Sequence, residues 1–327
     1  MDMRTLGRSG IEVSPLGMGC WAIGGPWQWL DGPGGWGEVD DDESVRAIHA
    51  ALAGGITFFD TAATYGTGHS EEVLRRALAD RRDDVVLATK FGFDVDVVGK
   101  RVTRFADDAD VARDVRAACE ASLRRLGTDR VDLFQLHVWD LPLEHALDVR
   151  DVLEDLVAEG KVRAYGWSTD DAGPARVFSE GEHCAVVQHD LNVVRDAPEI
   201  LALVEEADLA SINRSPLARG ALTGKYTSAA GFAENDVRRD QWSVDTFFTP
   251  TLERLEAIRD VLTSDGRSLT QGALAWIWGR SGRTVPIPGI RTVAQAEENA
   301  GAMAFGPLRP EQMAEVEALV GRGSQRG

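Results

Sequence analysis

The feature that most constrains the fold of this chain is a regular alternation of two kinds of segment. Short runs rich in Val, Ile, Leu and Phe alternate with longer amphipathic segments, at intervals of roughly thirty to forty residues. Such alternation is typical of repeated βα units around parallel strands, because a helix must carry the chain back between strands of the same direction. The pattern predicts a (β/α)8 TIM barrel, with eight strands at 15–19, 56–60, 85–90, 131–137, 162–168, 185–190, 209–215 and 284–289.

Helices are predicted between these strands from the same periodicity. Asp42 and Asp107 are expected to cap two of them, because a short acidic side chain accepts hydrogen bonds from the free amides of a first turn. Gly127 and Gly160 are expected to end helices, since glycine readily adopts the left-handed conformation that follows a last turn. The predicted helices are 41–54, 70–80, 107–126, 144–159, 197–206 and 292–303.

Three further segments complete the expected architecture. The N-terminal stretch MRTLGRSGIEVSP predicts a β-hairpin about Gly7 and Gly10 that plugs the barrel bottom. Loops 20–40 and 219–247 are too long for simple connections, and loops of that length in a compact domain are functional or disordered. Four tryptophans in the first loop argue against disorder there. Barrels of this length fold as one unit, so residues 1–327 are expected to form a single domain.

The composition of the chain excludes several classes of partner. A formal net charge of −18 repels nucleic acid and anionic lipid. No apolar run approaches the roughly 18 residues of a membrane span, and the first residues lack the apolar core of a signal peptide. Cys20, Cys119 and Cys184 have neither paired nor metal-ligand spacing, so reduced thiols and no metal site are expected. We expect a cytoplasmic protein with a small-molecule partner and leave its oligomeric state open.

The glycine-rich segment GMGCWA at 17–22 matches the GxGxxA pattern of dinucleotide-binding βαβ units. That interpretation is rejected, because the Gly24, Gly25, Pro26 and Trp27 that follow cannot open a helix. The helix N-terminus that would bind a pyrophosphate is therefore missing. The glycines are instead expected to let the backbone turn at a strand end or approach a ligand closely.

Four polar residues lie at or just after predicted strand ends. Asp60, Lys90 and His137 end the second, third and fourth strands. Tyr65 lies in the turn that follows Asp60. The Asp has a structural explanation as a turn former, the Tyr as a packing residue and the His as a satisfied core residue. A lysine after four apolar residues is harder to explain, because its ammonium is costly to dehydrate without a charge partner.

The four polar residues gain weight when they are considered together. Consecutive strands are neighbours in a barrel, so these side chains are expected to converge at the C-terminal mouth, where barrel enzymes act. An Asp–Lys ion pair beside a phenol has a definite use, because the ammonium stabilises phenolate. It is expected to lower the pKa of Tyr65 from about 10 toward working pH. Tyr65 is therefore predicted to be a general acid.

The combination of motifs resembles the active-site signature of the aldo-keto reductase superfamily. The similarity is carried by DTAATYGTGHSEE, by the strand-end Lys90 and by LHVWD, and it extends from the N-terminal hairpin to about residue 305. The opening GMGCWAIGG with its Trp-rich loop is most similar to the bacterial branch, whose members are monomeric or loosely associated. The resemblance implies a catalytic tetrad of Asp60, Tyr65, Lys90 and His137, with NADPH bound across the barrel mouth. It implies reduction of an aldehyde or ketone without a metal: Tyr65 protonates the alkoxide and His137 orients the carbonyl.

The same resemblance implies a set of cofactor contacts. Three positions depart from the family pattern: Thr169 stands where Asn is usual, Leu191 where Tyr is usual, and Arg214 where many relatives have an aromatic residue. Arg214 could instead stack its guanidinium plane on the nicotinamide. The implied contacts are Gly19, Cys20, Trp21, Asp60, Ser168, Thr169, Gln188, Arg214, Ser215, Leu217, Gly220, Lys225, Gly289, Arg291, Gln295, Glu298 and Asn299.

Residues around this site also predict its specificity. Arg291 and the helix N-terminal amides at 292–295 are expected to bind the 2′-phosphate of NADPH, and the alternative is a solvated loop arginine. Gln295 stands where several relatives have Arg, so the preference over NADH is expected to be moderate. An aromatic wall is expected to favour aromatic or bulky aliphatic carbonyl substrates over small charged ones. For Trp139, a role in core packing is an equally open alternative. The aromatic wall comprises Trp21, Trp27, Trp29, Trp36, Phe91 and Trp139.

Two other classes of function remain open at this point. A class I aldolase would use Lys90 as a Schiff-base nucleophile at a barrel strand end. It leaves Ser168, Gln188 and the motif at 289–299 without a role. An NADPH-binding regulatory subunit without catalysis is the second alternative, and the complete tetrad argues against it.

Overall fold

The computed structural model describes residues 1–29, 32–104, 111–227, 232–241 and 244–321. In chain order its strands are β1 (Arg4–Thr5), β2 (Glu12–Val13), β3 (Gly17–Gly19), β4 (Gln28–Trp29), β5 (Gly32–Pro33), β6 (Phe58–Asp60), β7 (Val86–Phe91), β8 (Phe93–Asp96), β9 (Arg101–Arg104), β10 (Val131–Leu136), β11 (Val162–Ser168), β12 (Cys184–Asp190), β13 (Ala210–Arg214) and β14 (Thr284–Pro286). Its α-helices are α1 (Asp41–Ala53), α2 (His69–Leu78), α3 (Val111–Leu126), α4 (Leu143–Ala158), α5 (Ala172–Phe178), α6 (Pro198–Glu206), α7 (Arg238–Gln241), α8 (Thr249–Leu262), α9 (Leu269–Arg280), α10 (Val293–Phe305) and α11 (Pro310–Leu319).

Within this described part of the chain, eight strands run parallel in the order β3, β6, β7, β10, β11, β12, β13 and β14. The first and last of them meet where the Gly19 amide donates to the carbonyl oxygen of Pro288 at 3.0 Å. A Cβ atom on Gly19 would lie 2.6 Å from the carbonyl oxygen of Ile287, so this approach requires glycine. The predicted (β/α)8 TIM barrel is confirmed.

The predicted elements agree closely with those in the structure. All eight predicted strands are present, with bounds that differ by at most three residues. The six predicted helices are α1, α2, α3, α4, α6 and α10. The predicted N-cap of α1 lies two residues too late: Asp40, not Asp42, accepts from the amides of the first turn. Asp107 lies outside the described residues, and Gly127 and Gly160 have the expected positive φ.

The N-terminal hairpin closes one end of the barrel. β1 and β2 pair antiparallel, with Arg4 opposite Val13. Leu6, Ile11 and Val13 are buried in one cluster with inward-facing strand residues such as Phe58. The prediction of a hairpin plug is therefore confirmed, and the opposite end of the barrel is left for the functional site.

A small second sheet stands beside that opposite end. It consists of β5, β4, β9 and β8 in that order, so it joins the first long loop to the segment after β7. Trp29 on β4 packs edge to face on Phe93 of β8, with ring centroids 4.8 Å apart. This sheet therefore holds the tryptophan-rich loop in an ordered position. No helix of the described residues is long and apolar enough to cross a membrane.

Candidate active site

A cavity of about 1410 Å³ opens at the C-terminal ends of the barrel strands. It runs from the strand ends at Asp60 and His137, past the segment after β13, to the N-terminal part of α10. Long extended ligands fit a cavity of this shape and size.

The floor of the cavity holds a buried ion pair. The Lys90 ammonium donates to a carboxylate oxygen of Asp60, to the carbonyl oxygen of Thr61 at 2.8 Å and to the phenol oxygen of Tyr65 at 3.2 Å. The side chains of Lys90 and Asp60 are almost fully buried. All three ammonium protons are therefore directed to protein acceptors.

Two amides complete the environment of Asp60. Gln135 and Gln188 donate to the same carboxylate oxygen, at 3.1 and 2.8 Å. Gln188 was predicted as a cofactor contact, and its amide nitrogen is directed to Asp60. Gln135 was not predicted, although a glutamine near the C-terminal end of the mostly apolar strand VDLFQL is a usable signal. The bonds from Lys90, Gln135 and Gln188 together fix the carboxylate and with it the position of Lys90.

Tyr65 is positioned by a close contact between two loops. Its ring stacks on Trp21 with centroids 5.9 Å apart. Gly66 has φ of 63°, and a Cβ atom there would lie 1.8 Å from the carbonyl oxygen of Gly24. Only glycine permits this approach, so Gly66 keeps the turn against the first long loop and aims the phenol at Lys90.

The pKa of Tyr65 differs from the sequence-based prediction. The surrounding protein excludes water from the phenol, and this desolvation raises its pKa above the ordinary value. The Lys90 ammonium acts in the opposite direction but is outweighed, in part because Asp60 offsets its charge. The prediction of a lowered pKa is therefore wrong for this state of the site. Burial alone lowers the pKa of Lys90, but Asp60 and Tyr65 together hold it above its usual value.

His137 lies at the end of β10, beside the phenol. Its ring is in edge contact with Tyr65 and Phe93, with centroids 6.0 and 5.7 Å away. Desolvation lowers its pKa well below the ordinary value, and the charges of Lys90 and Arg214 add to this effect. The imidazole is therefore neutral at physiological pH. In the described part of the chain its Nδ1 atom has no hydrogen-bond partner.

The next strand ends carry three of the predicted cofactor contacts. Ser168 and Thr169 are buried and line the cavity, and the Thr169 hydroxyl donates to the carbonyl oxygen of Trp139 at 2.9 Å. Arg214 also lines the cavity, where it donates to Asp170 at 2.6 Å. A second carboxylate, Asp190, lies 3.7 Å from this guanidinium. Arg214 is thus held between two acidic side chains at the cavity edge.

The segment after β13 turns tightly along the cavity wall. All four contacts predicted in it line the cavity: Ser215, Leu217, Gly220 and Lys225. Arg219 lines it as well and was not predicted, although it stands inside the motif NRSPLARGALTGKY. Positive φ angles at Ser215, Ala218 and Arg219 mark a strained backbone of the kind common at ligand sites. Among the described residues, neither Arg219 nor Lys225 forms an ion pair.

The far end of the cavity is formed by α10 and the segment before it. The five contacts predicted there all line the cavity: Gly289, Arg291, Gln295, Glu298 and Asn299. Arg291 donates to the carbonyl oxygens of Trp36, at 2.9 Å, and Glu38. The predicted availability of the amides at 292–295 is corrected: those of Val293 and Gln295 already donate to Glu43 and Thr292.

The aromatic wall needs one correction. Phe91 is buried against Phe134, with ring centroids 4.3 Å apart, and does not line the cavity. Its neighbour Lys90 faces the barrel interior, so Phe91 must face the surrounding helices. Phe93, two residues on, lines the cavity in its place. The remaining members line the cavity as predicted: Trp21, Trp27, Trp29, Trp36 and Trp139.

Gly19 and Cys20 line the cavity beside the Asp60–Lys90 pair. The thiol of Cys20 is buried, and burial raises its pKa far above the ordinary value. Cys20, Cys119 and Cys184 are free thiols in the structure. No group of three or more His, Cys, Asp and Glu residues among the described positions is arranged to hold a metal ion.

A parallel β/α barrel with this charge cluster at its mouth defines a specific class of protein, and comparison with known proteins identifies it. Residues 15–320 match the model of the aldo/keto reductase family. Aldo-keto reductase YhdN of Bacillus subtilis (strain 168) is 32% identical over 306 residues, which are 91% of this chain and 87% of that protein.

Two solved structures resemble the whole chain. The glycerol dehydrogenase AKR11B4 from Gluconobacter oxydans is 29% identical, with a TM-score of 0.81, and the match covers 100% of this chain and 97% of that one. An aldo/keto reductase from Klebsiella pneumoniae, in complex with NADP and acetate, is 25% identical with a TM-score of 0.69 and coverage of 100% and 98%. The chain belongs to the aldo/keto reductase family.

Proposed function

We propose that this protein reduces aldehydes and ketones to alcohols with NADPH as the reductant. The observation that carries the proposal is the contact of Lys90 with both Asp60 and Tyr65 at the cavity floor. Bound NADPH supplies a hydride to the carbonyl carbon. The residues of the chain supply the proton, the orientation and the exclusion of water.

Two unpaired polar groups support a dinucleotide as the cofactor. Among the described residues, Arg219 has a buried Nε atom without a hydrogen-bond partner and no carboxylate within ion-pair distance. A largely dehydrated guanidinium in a cavity favours an anion, and a pyrophosphate provides one. Asn299 is 3% exposed and lines the cavity farther along. Its carboxamide is available to hydrogen-bond a base edge.

Tyr65 is the proposed proton donor. Because its pKa is raised, the phenol is protonated at physiological pH and can give its proton to the oxygen of the reduced carbonyl. The phenolate that remains lies 3.2 Å from the Lys90 ammonium, which stabilises it. Asp60, fixed by Gln135 and Gln188, keeps that ammonium in place.

His137 is proposed to orient the substrate. A neutral imidazole donates one hydrogen bond and cannot compete with Tyr65 as a source of protons at neutral pH. Its position beside the phenol lets both groups hydrogen-bond one carbonyl oxygen.

The relatives support the proposed reaction and cofactor. One of them is named for oxidation of an alcohol, glycerol, and another binds NADP.

The aldolase alternative is less well supported. A Schiff-base nucleophile must be a neutral amine, whereas all three protons of the Lys90 ammonium are engaged and its pKa is raised. Borohydride treatment of the protein with a ketone substrate is expected to leave no covalent adduct on Lys90. A trapped adduct would favour the aldolase.

The function is tested by incubating the protein with NADPH and a panel of aldehydes and ketones. The reaction is monitored by the loss of NADPH absorbance. Turnover with at least one carbonyl compound, and formation of one alcohol for each NADPH consumed, are the expected results. Tight NADPH binding without turnover on any member of a broad panel would favour a regulatory subunit.

A further inference from the structure

The far end of the cavity, beside the start of α10, contains an acidic side chain in an unexpected place. The carboxylate of Glu43, on α1, accepts a hydrogen bond from the amide of Val293 at 3.0 Å. Val293 is the first residue of α10, and Glu43 lines the same cavity as Arg291 and Asn299. The positive end of the α10 dipole is thus occupied by a group of this chain.

The charges around this position are mostly negative. Glu38, Asp40 and Glu298 line the cavity together with Glu43, while Arg291 is a cation at this end. Arg238 also lines the cavity, stacked on Trp36 and paired with Asp236. The Arg291 guanidinium donates to two backbone carbonyl oxygens. Two of its five N–H donors are engaged in this way, and three remain for a phosphate. Arg46 pairs with the second oxygen of Glu43 at 2.8 Å from the solvent side, which weakens the negative field without removing it.

An independent observation favours a ligand at this end of the cavity. Asn299 is buried, and within the described residues its carboxamide has no hydrogen-bond partner although it lines the cavity. The amide of Asn299 can therefore hydrogen-bond a ligand in the cavity. Under the proposed function, on which this step rests, that ligand is the adenosine half of the cofactor.

We propose that Glu43 is a specificity-determining residue that weakens discrimination in favour of NADPH over NADH. A carboxylate accepts a hydrogen bond from a ribose 2′-hydroxyl and repels a 2′-phosphate. Glu43 therefore opposes the effect of Arg291, and NADH competes with NADPH more effectively than the presence of Arg291 alone would allow.

A purely structural role for Glu43 makes a different prediction. As a cap of α10, it would stabilise the fold and affect both cofactors alike. The Glu43→Gln substitution separates the two roles, because the amide oxygen still accepts from Val293 while the charge is removed. Asp42→Asn is the matched control, since Asp42 lies next to Glu43 on α1, pairs with Arg76 and does not line this cavity.

The experiment measures dissociation constants of NADPH and NADH by fluorescence titration for the wild type and both variants. For Glu43→Gln we expect about three- to tenfold tighter NADPH binding, an NADH constant within about twofold, and a smaller difference at high salt. Competition by 2′,5′-ADP should strengthen in parallel, and that by ADP should not. Asp42→Asn should leave the ratio of the two constants unchanged.

The outcomes distinguish this inference from the function on which it rests. Equal changes for both cofactors, unchanged NADPH binding, or the same shift in Asp42→Asn would overturn the role of Glu43 while leaving the reductase intact. Failure of the wild type to bind either dinucleotide would overturn both proposals.

Discussion

At the scale of single residues, Tyr65 carries the clearest prediction. Tyr65→Phe removes the phenol hydroxyl and retains the ring that stacks on Trp21. We expect kcat to fall by at least about a hundredfold, the usual contribution of a general acid. The NADPH dissociation constant should stay within about twofold, as measured by titration. A variant that keeps a rate within about tenfold of the wild type would show that another group donates the proton.

Lys90 tests the buried ion pair through stability. Lys90→Met leaves the Asp60 carboxylate buried without its cation, which is expected to lower the free energy of unfolding by about 3–5 kcal/mol. The double variant Asp60→Asn/Lys90→Met removes both charges and should recover part of that loss. Urea unfolding measures both values and that of the single variant Asp60→Asn. If the double variant were as unstable as the sum of the two single variants, the pair would not be coupled as the structure indicates.

Arg291 provides the counterpart of the Glu43 experiment. Arg291→Ala should weaken NADPH binding by about tenfold, the lower end of the range for a charge-assisted contact, because two of the five guanidinium donors are engaged by carbonyl oxygens and fewer remain for the phosphate. NADH binding should change little. Fluorescence titration of both cofactors decides, and equal weakening of the two would assign Arg291 a structural role at Trp36 and Glu38.

The residue scale also shows which parts of the site the sequence could predict. Asp60, Lys90 and His137 follow from strand ends, because position along a parallel barrel strand determines which end of the barrel a side chain reaches. Glu43 could not be found this way. It is one of several acidic residues at the start of α1, and its contact with Val293 joins positions 250 residues apart.

At the scale of elements, the aromatic wall determines the substrates we expect. Trp29 on β4 connects Phe93 and Trp139, with ring centroids 4.8 and 6.3 Å away. Trp29→Ala should lower kcat/KM for a nitrobenzaldehyde by about tenfold and affect a small aliphatic aldehyde less. For the wild type, a higher kcat/KM on a small carboxylate-bearing aldehyde than on the nitrobenzaldehyde would contradict the expected preference.

Errors at this scale have physical causes. Helices α9 and α5 were not among the predicted helices. Helix α9 is buried on nearly all sides, so its sequence LTQGALAWIWGR lacks the polar face on which helix prediction depends. Helix α5 has only seven residues and contains both glycine and proline. Phe91 was assigned to the wrong face, although the two-residue period of a strand excludes it once Lys90 points inward.

At the scale of the whole molecule, the barrel buries a second histidine that has no part in the proposed chemistry. His189 lies on β12, and its Nε2 atom is 2.7 Å from the hydroxyl oxygen of Ser211 on β13. Burial lowers the pKa of His189 to about 4, with a smaller contribution in the same direction from the positive charge of Arg214. The folded protein therefore holds this imidazole neutral at pH values where an unfolded chain protonates it.

This difference makes the stability of the molecule depend on pH in a defined window. The unfolded histidine has a pKa of about 6.5, so below that pH the unfolded state binds a proton that the folded state refuses. Stability linked to His189 is thus complete above about pH 6.5 and is lost as the pH falls toward 4. Relative to His189→Gln, which cannot titrate, the wild type should lose about 2 kcal/mol of unfolding free energy between pH 7.5 and pH 5.0. Urea unfolding of both proteins across that range measures the difference. His137 and the carboxylates are present in both proteins, so their contributions to the pH dependence cancel in the comparison. If the difference in unfolding free energy between the two proteins stayed constant with pH, water or a shifted neighbour would have to stabilise the charged imidazole. The strands β12 and β13 would then enclose His189 less tightly than the structure shows.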